Sequence, residues 1–484
     1  MDKENLRNFY KDYMYLLQVA LENGINHSPL LKNLTTADML DARTKKRFLS
    51  ECHRGYERAQ NLIINWLEEL KNDTSLTSDE KLFRELILRK VSDSMAVVML
   101  QMRKYVIRRL SLHDSIPKVD LAVVRGEQKS ANKMNNESRQ TFALLADLTT
   151  FIHVSDIVRI DYRGVKPTLK LIELKSGKVN DMLLEHLENY EPTKESMTNL
   201  LSTSTLDEKH KKQAKRMLQQ TIRLANIDQI LKTDQGTDNA SETKIYLSKD
   251  VIEEEYFEEF IDELCDKAKE NGYASGTVSS CLHFGVGYSP ESTLARKNAL
   301  SALEFAMQSN FVNATTDLEE IYEQVIQVIN KKELFKVYDL LLANLSAPGC
   351  RPFPLWLINR SHLELLLTKN MYIFVAFDVA SFIYLARKFG LEGSFTTRKE
   401  AHRIAEKIGS VNTPTWSHRV LELKTKNGKV IRIMSGTISR FINDLLIPSI
   451  MLKAYNDTEI SRKQETPLKT PTAKTLIKEG LLLD

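Results

Sequence analysis

The sequence predicts an α/β core, a mixed sheet flanked by helices, set between largely α-helical N- and C-terminal regions. Three observations predict it. From Glu4 to about Leu112, apolar residues recur at three- and four-residue spacing, the signature of amphipathic helices. Between Val119 and Lys249, short β-branched runs alternate with helical patterns, as a mixed α/β domain requires. From Asp250 onward helical periodicity returns, broken only by short strand-like runs. The expected division is a helical region over residues 1–115, the core over 116–250, a mostly helical α+β region over 251–456 and a tail over 457–484.

Taken in order, the first region reads as about three long helices: FYKDYMYLLQVALENG, RTKKRFLSECHRGYERAQNLIINWLEELKND and DEKLFRELILRKVSDSMAVVMLQMRKYVIRRL, with Gly24 and Asn72–Asp73 punctuating the ends. After Pro117, VDLAVV is short and β-branched and reads as a strand, and ESRQTFALLADLTTF reads as a helix. Two strand-like segments follow, SDIVRIDY and TLKLIELK, joined by a turn at Arg163-Gly164-Val165-Lys166-Pro167. Helical patterns over 180–191 and 207–231 then precede a polar loop and a last strand, KIYLSK.

In the C-terminal region, TVSSCLHFGVGY and MYIFVAFD are strand-like. The run RVLELKTKNGKVIRI alternates around Asn427-Gly428, which predicts a hairpin closed by a type I′ turn. The most apolar stretch, Met371 to Ala386, is shorter than the roughly 20 residues that span a bilayer and is interrupted by Asp378, so it reads as buried core. No membrane partner is expected. From Asp457 the chain is rich in Thr, Lys and Pro and reads as a mobile tail.

Composition excludes several functions. With 68 basic and 64 acidic residues the formal net charge is only +4, so any nucleic-acid surface must be local. The four cysteines, Cys52, Cys265, Cys281 and Cys350, form no CxxC pair, and the N-terminus is charged from its second residue; a reduced, cytoplasmic protein is expected. There is no Walker A sequence and no GxGxxG, which argues against a built-in nucleotide motor. Neither HExxH nor GxSxG occurs, and Cys281 and His283 read as a buried structural pair on one strand face.

One segment carries chemistry. In SDIVRIDYRGVKPTLKLIELKSGK, Asp156 opens one strand, and Glu173-Leu174-Lys175 closes the next. Side chains alternate along a strand, so Glu173 and Lys175 share a face while Ile172 and Leu174 point to the other. Two acids on neighbouring strands suffice to hold a hard cation such as Mg²⁺, which takes a few carboxylate oxygens and keeps several waters.

This arrangement resembles the restriction-endonuclease-like PD-(D/E)xK nuclease superfamily, whose aspartate and ExK triplet sit on neighbouring strands. The resemblance covers roughly Val119 to Lys249. It implies that Asp156, Glu173 and Lys175 are catalytic: Asp156 and Glu173 would bind Mg²⁺ or Mn²⁺, the Leu174 carbonyl would add a ligand, and Lys175 would orient or activate the attacking water. In many members an acid on the preceding helix completes the metal site, and Glu137 is the candidate here. Ser155 replaces the proline of the motif, and no QxxxY follows, since Gln213 is succeeded four residues later by Met217.

Two other [DE]xK triplets lack this context. Glu69-Leu70-Lys71 lies in a helical pattern, and Glu422-Leu423-Lys424 has no Asp-opened partner strand. Downstream, Lys209, Lys212, Arg216 and Arg223 recur at helical spacing, a face that would meet a phosphate backbone without reading its sequence. The expectation is a metal-dependent nuclease, cutting DNA before RNA, acting as an oligomer or with a partner protein. By architecture it resembles effectors of bacterial restriction and anti-phage defence. The alternative is a non-catalytic helical scaffold or an inactive nuclease-fold binding module.

Overall fold

A computed structural model describes residues 3–22, 42–100, 107, 110, 116–152, 155–164, 168–174, 207–233, 235–237, 244–246, 255–312, 314–356, 359–408, 416–457 and 481–482. The chain is a mixture of helices and sheets, and every strand pairing among the described residues is antiparallel. It divides into two compact units, Tyr13–Lys249 with Arg462–Asp484, and Met1–Asp12 with Asp250–Ser461.

The first of these units carries the Asp156 segment. After the N-terminal helix α1 (Lys3–Leu17) come α2 (Ala42–Asn72) and α3 (Ser78–Met99). α3 starts on a capping box: the Thr77 hydroxyl accepts from the Glu80 amide while the Glu80 side chain accepts from the Thr77 amide. Then follow α4 (Leu121–Asn135), β1 (Thr141–Leu145), β2 (Ile157–Asp161), β3 (Thr168–Ile172) and α5 (Glu208–Thr233). β1, β2 and β3 form an antiparallel meander, a small hairpin pairs β4 (Gln235–Thr237) with β5 (Lys244–Tyr246), and Leu481–Leu482 add to the outer edge of β3.

Two sequence expectations change here. VDLAVV opens helix α4 instead of forming a strand: Asp120 accepts from the Ala122 amide as N-cap, and Leu121, Val124, Glu127, Ala131 and Asn135 make a buried helical stripe. ESRQTFALLADLTTF is not a helix but contains β1, whose five residues are all buried. A short, continuously apolar run has no periodicity to tell strand from helix, and tertiary packing decides. The open edge of β1 is closed by side chains. The Asn135 amide group accepts from the Ala143 N–H and Gln60 accepts from the Leu145 N–H, both buried, which leaves no template for a further strand at those positions.

The second unit is built on a sheet in the order β6 (Tyr273–Val278), β7 (Leu282–Tyr288), β9 (Met371–Asp378) and β8 (Phe335–Asp339), with α6 (Glu258–Asn271) and α7 (Ser292–Val312) packed on it. Gly285 and Gly287 let α7 lie directly on β7: a Cβ at either would sit 2.1–2.3 Å from α7 backbone atoms. The apolar stretch from Met371 divides at Asp378, which ends β9 and caps the next helix, α8 (Val379–Lys388). No helix among the described residues is long and apolar enough to cross a membrane.

The C-terminal hairpin forms as β10 (Leu421–Lys424) with β11 (Val430–Ile433), but its turn is not type I′. Only Gly428 has positive φ, at 77°, and its N–H donates to the Thr425 carbonyl, giving a longer loop with a glycine bulge. All four cysteines are buried free thiols. Residues 180–191, expected to be helical, and 458–480 of the tail lie outside the described residues.

Candidate functional site

Asp156 lies one residue before β2, and Glu173 one residue after β3. The ladder between the strands ends on the pair Ile157 and Ile172, so the next cross-strand positions are Asp156 and Glu173. Hydrogen bonds fix Asp156 on both sides: its N–H donates to the Ile172 carbonyl at 3.0 Å, and its own carbonyl accepts from the Ala146 N–H at 2.9 Å. Its carboxylate Oδ2 accepts from the Leu174 N–H at 2.5 Å. Strand alternation puts Asp156 with Val158 and Ile160, and Glu173 with Leu169 and Leu171, all on the buried face.

That face is covered by α4, which packs against β1 and β2. From it Glu127, only 4% exposed, sits in the apolar stripe, and its Oε2 is a buried oxygen with no hydrogen-bond partner. Burial, and then the charges of Asp147, Asp156 and Glu173, push its pKa up to about 8. Asp147 is delivered by a 3₁₀ turn (Ala146–Leu148) directly after β1. Its pKa is also raised, by burial and then by Asp156, against the opposing pull of Arg89. Four carboxylates thus share one electrostatic neighbourhood: Glu127, Asp147, Asp156 and Glu173.

Glu137 is not among them. It lies in the turn after α4, where it forms an ion pair with Arg159 at 2.6 Å, and Arg159 in turn lies 3.6 Å from Asp161. Arg159 and Asp161 alternate with Val158 and Ile160, so this chain of charges occupies the opposite face of the sheet. The helical stripe expected to carry Glu137 does not exist, because that segment is the turn into β1. The acid on the preceding helix is Glu127. Its signal in the sequence was a lone carboxylate at helical spacing with Val124 and Ala131.

Lys175 lies outside the described residues. Leu174 contributes its N–H to Asp156. On α5, Lys209, Lys212 and Arg216 are exposed and Ala214, Met217 and Leu218 are buried on the other side; the side chain of Arg223 lies outside the described residues. Lys211 and His210 are tied to Glu208 and Asp207 at 3.4 and 2.9 Å.

Among the described residues no three His, Cys, Asp or Glu side chains form a group arranged to hold a metal ion. Glu127, Asp147, Asp156 and Glu173 nevertheless raise the cost of one another's charge, and one Glu127 oxygen is buried without a donor. Comparison with protein-family profiles, with curated proteins and with solved structures yields no match for this chain.

Proposed function

We propose that this chain is a metal-dependent nuclease with a restriction-endonuclease-like core, hydrolysing phosphodiester bonds in DNA. The observation that carries the reading is Glu127: a buried carboxylate with one oxygen unpartnered, on the helix beside Asp156 and Glu173, which are paired across neighbouring strand ends. Such an arrangement disfavours the ionised form of Glu127 unless a cation compensates it, and a proton does so below about pH 8. It also matches the resemblance in the sequence, with Glu127 in place of Glu137 as the helix acid.

In this reading Asp156 and Glu173 would hold Mg²⁺ or Mn²⁺, with Glu127 beside them. When bound, the ion supplies positive charge that polarises a phosphoryl oxygen and lowers the pKa of a water. The protein's own residues do the rest. The Leu174 N–H orients the Asp156 carboxylate. Burial and its acidic neighbours raise the pKa of Glu127 to about 8, and it would release its proton to solvent on ligating a cation. Lys175 follows Glu173 by two residues and takes the water-orienting role that the resemblance implies. Lys209, Lys212 and Arg216 present exposed charge to the phosphate backbone.

The test is cleavage of plasmid, linear and single-stranded DNA, and of RNA, by wild type, Glu173→Ala and Lys175→Ala with Mg²⁺, Mn²⁺ or EDTA. Metal-dependent cutting that both variants lose is the expected result, with the substrate panel separating DNA from RNA. Folded wild type that neither cuts nor binds Mn²⁺ would leave the inactive nuclease-fold module as the better reading.

A further inference from the structure

Helix α3 carries charge where its burial forbids waste. Every residue from Ile87 to Met99 is buried, yet the run includes Arg89, Lys90 and Asp93. Lys90 and Asp93 have no side-chain exposure and form an ion pair at 3.1 Å. Buried pairs of this kind are often no more stable than apolar residues of the same size, so stability alone does not account for them.

Their contacts do. Asp93 accepts from the Thr150 N–H at 2.7 Å and from its hydroxyl at 2.5 Å, while Lys90 donates to the same hydroxyl at 3.3 Å. Arg89 donates to the carbonyls of Thr149 at 2.5 Å, Pro117 at 2.7 Å and Asp147 at 3.4 Å. Apart from Glu85, its partner on the same helix, these bonds end on two segments. One is the chain entering α4, three residues before its Asp120 cap. The other is the 146–150 turn, which presents the Asp147 carboxylate and gives the Ala146 N–H to Asp156.

We propose that Arg89, Lys90 and Asp93 are positioning residues for the carboxylate site, locking the 146–150 turn that delivers Asp147 and bonds the backbone of Asp156. This rests on the cation reading above. It assigns a role to the N-terminal helices: they are the scaffold that sets the geometry of the site.

The experiment is Mn²⁺ titration of the full chain by calorimetry, with melting curves, for wild type, Thr150→Val, Thr150→Ser and Arg89→Met. Groups that bond a metal ligand directly typically change its affinity about 10–100-fold when removed, and these residues stand one bond further out, through the Ala146 N–H to Asp156. Thr150→Val and Arg89→Met are therefore expected to bind Mn²⁺ more weakly, by up to about 10-fold, while still melting cooperatively, and Thr150→Ser, which keeps the hydroxyl, to bind as wild type does. Wild-type binding that Thr150→Val and Arg89→Met retain would overturn this proposal and leave the cation reading intact. Weak binding by Thr150→Ser, or loss of cooperative melting in Thr150→Val, would also overturn it, assigning the cluster to general stability. No Mn²⁺ binding by wild type would overturn the cation reading and this proposal with it.

Discussion

Replacing Glu127 with Gln removes the proton that burial and three neighbouring carboxylates hold in place, while keeping the size and polarity of the side chain. The pKa of Glu127 is moved from the ordinary 4.5 to about 8. Between those limits the unfolded chain has released the proton and the folded chain still binds it, so stability falls as pH rises. Below the lower limit the effect vanishes. At about 1.4 kcal/mol per pH unit, the folded state is penalised by roughly 4–5 kcal/mol above pH 8. Asp147, also shifted upward by burial and by Asp156, carries part of the same repulsion and remains in the variant. About 2–4 kcal/mol of pH dependence is therefore expected to disappear in Glu127→Gln.

Because the chain has two units, a single unfolding free energy is not a defined quantity, and the measurement must be local. Hydrogen exchange of peptides spanning β1 to β3, corrected for intrinsic rates, reports it at pH 5.5 and 8.5. Wild-type protection should fall across that interval and the variant's should fall much less. Millimolar Mg²⁺ should restore wild-type protection at pH 8.5 by binding the folded state, and should do little for the variant. Parallel pH profiles for the two proteins would refute the claim that Glu127 is ionised at a cost.

Glu137→Gln is expected to leave Mn²⁺ affinity within about twofold of wild type, since Glu137 faces Arg159 and a surface ion pair contributes little; calorimetry measures it, and a larger loss would return Glu137 to the site. Gly285→Ala puts a Cβ 2.2 Å from the Ala299 carbonyl oxygen and 2.3 Å from the Leu303 nitrogen, so helix α7 must lift from the sheet. A loss of about 3 kcal/mol or more is expected, read as a lower melting temperature of the unit containing residues 250–461. His362 is buried with its two ring nitrogens at 2.8 and 2.9 Å from Asp262 and Asp266. Burial lowers its pKa, but the hydrogen bonds and charges of the two aspartates outweigh burial, and the net shift is upward. The contribution is present below the ordinary histidine pKa and is lost as pH rises through the raised one. Hydrogen exchange of α6 should weaken over that window in wild type and stay flat in His362→Gln.

How much of this was legible in the sequence depends on what each residue's spacing can encode. The strands flanked by Asp156 and Glu173 were legible because Val158 and Ile160 alternate with Arg159 and Asp161, and Leu169 and Leu171 with Thr168 and Lys170, and alternation fixes both strand and face. The pair Asp156 and Glu173 followed from that register. Helix α4 and strand β1 were exchanged for a specific reason: VDLAVV is β-branched yet begins with a helix cap, and TFALL is apolar at every position. That exchange displaced the helix acid from Glu127 to Glu137. Asp147 had no signal, since only the meander's folding brings the end of β1 beside the start of β2.

The same exchange shows why a buried carboxylate is the better guide to this site than a triplet. Triplets of the ExK kind recur by chance in a chain with 64 acidic residues, and an acid on a solvated turn costs nothing to keep. An acid in the apolar stripe of α4, with one oxygen unbonded and three like charges around it, lowers the stability of the fold at every pH at which it ionises. The ion cluster on α3 adds to the demand, because its bonds hold the turn that keeps Asp147 close to Asp156 rather than letting the carboxylates separate. A fold that needed only stability would place Leu at 127 and relax that turn. The two features act in the same direction, and in the proposed reading a bound divalent cation would offset both.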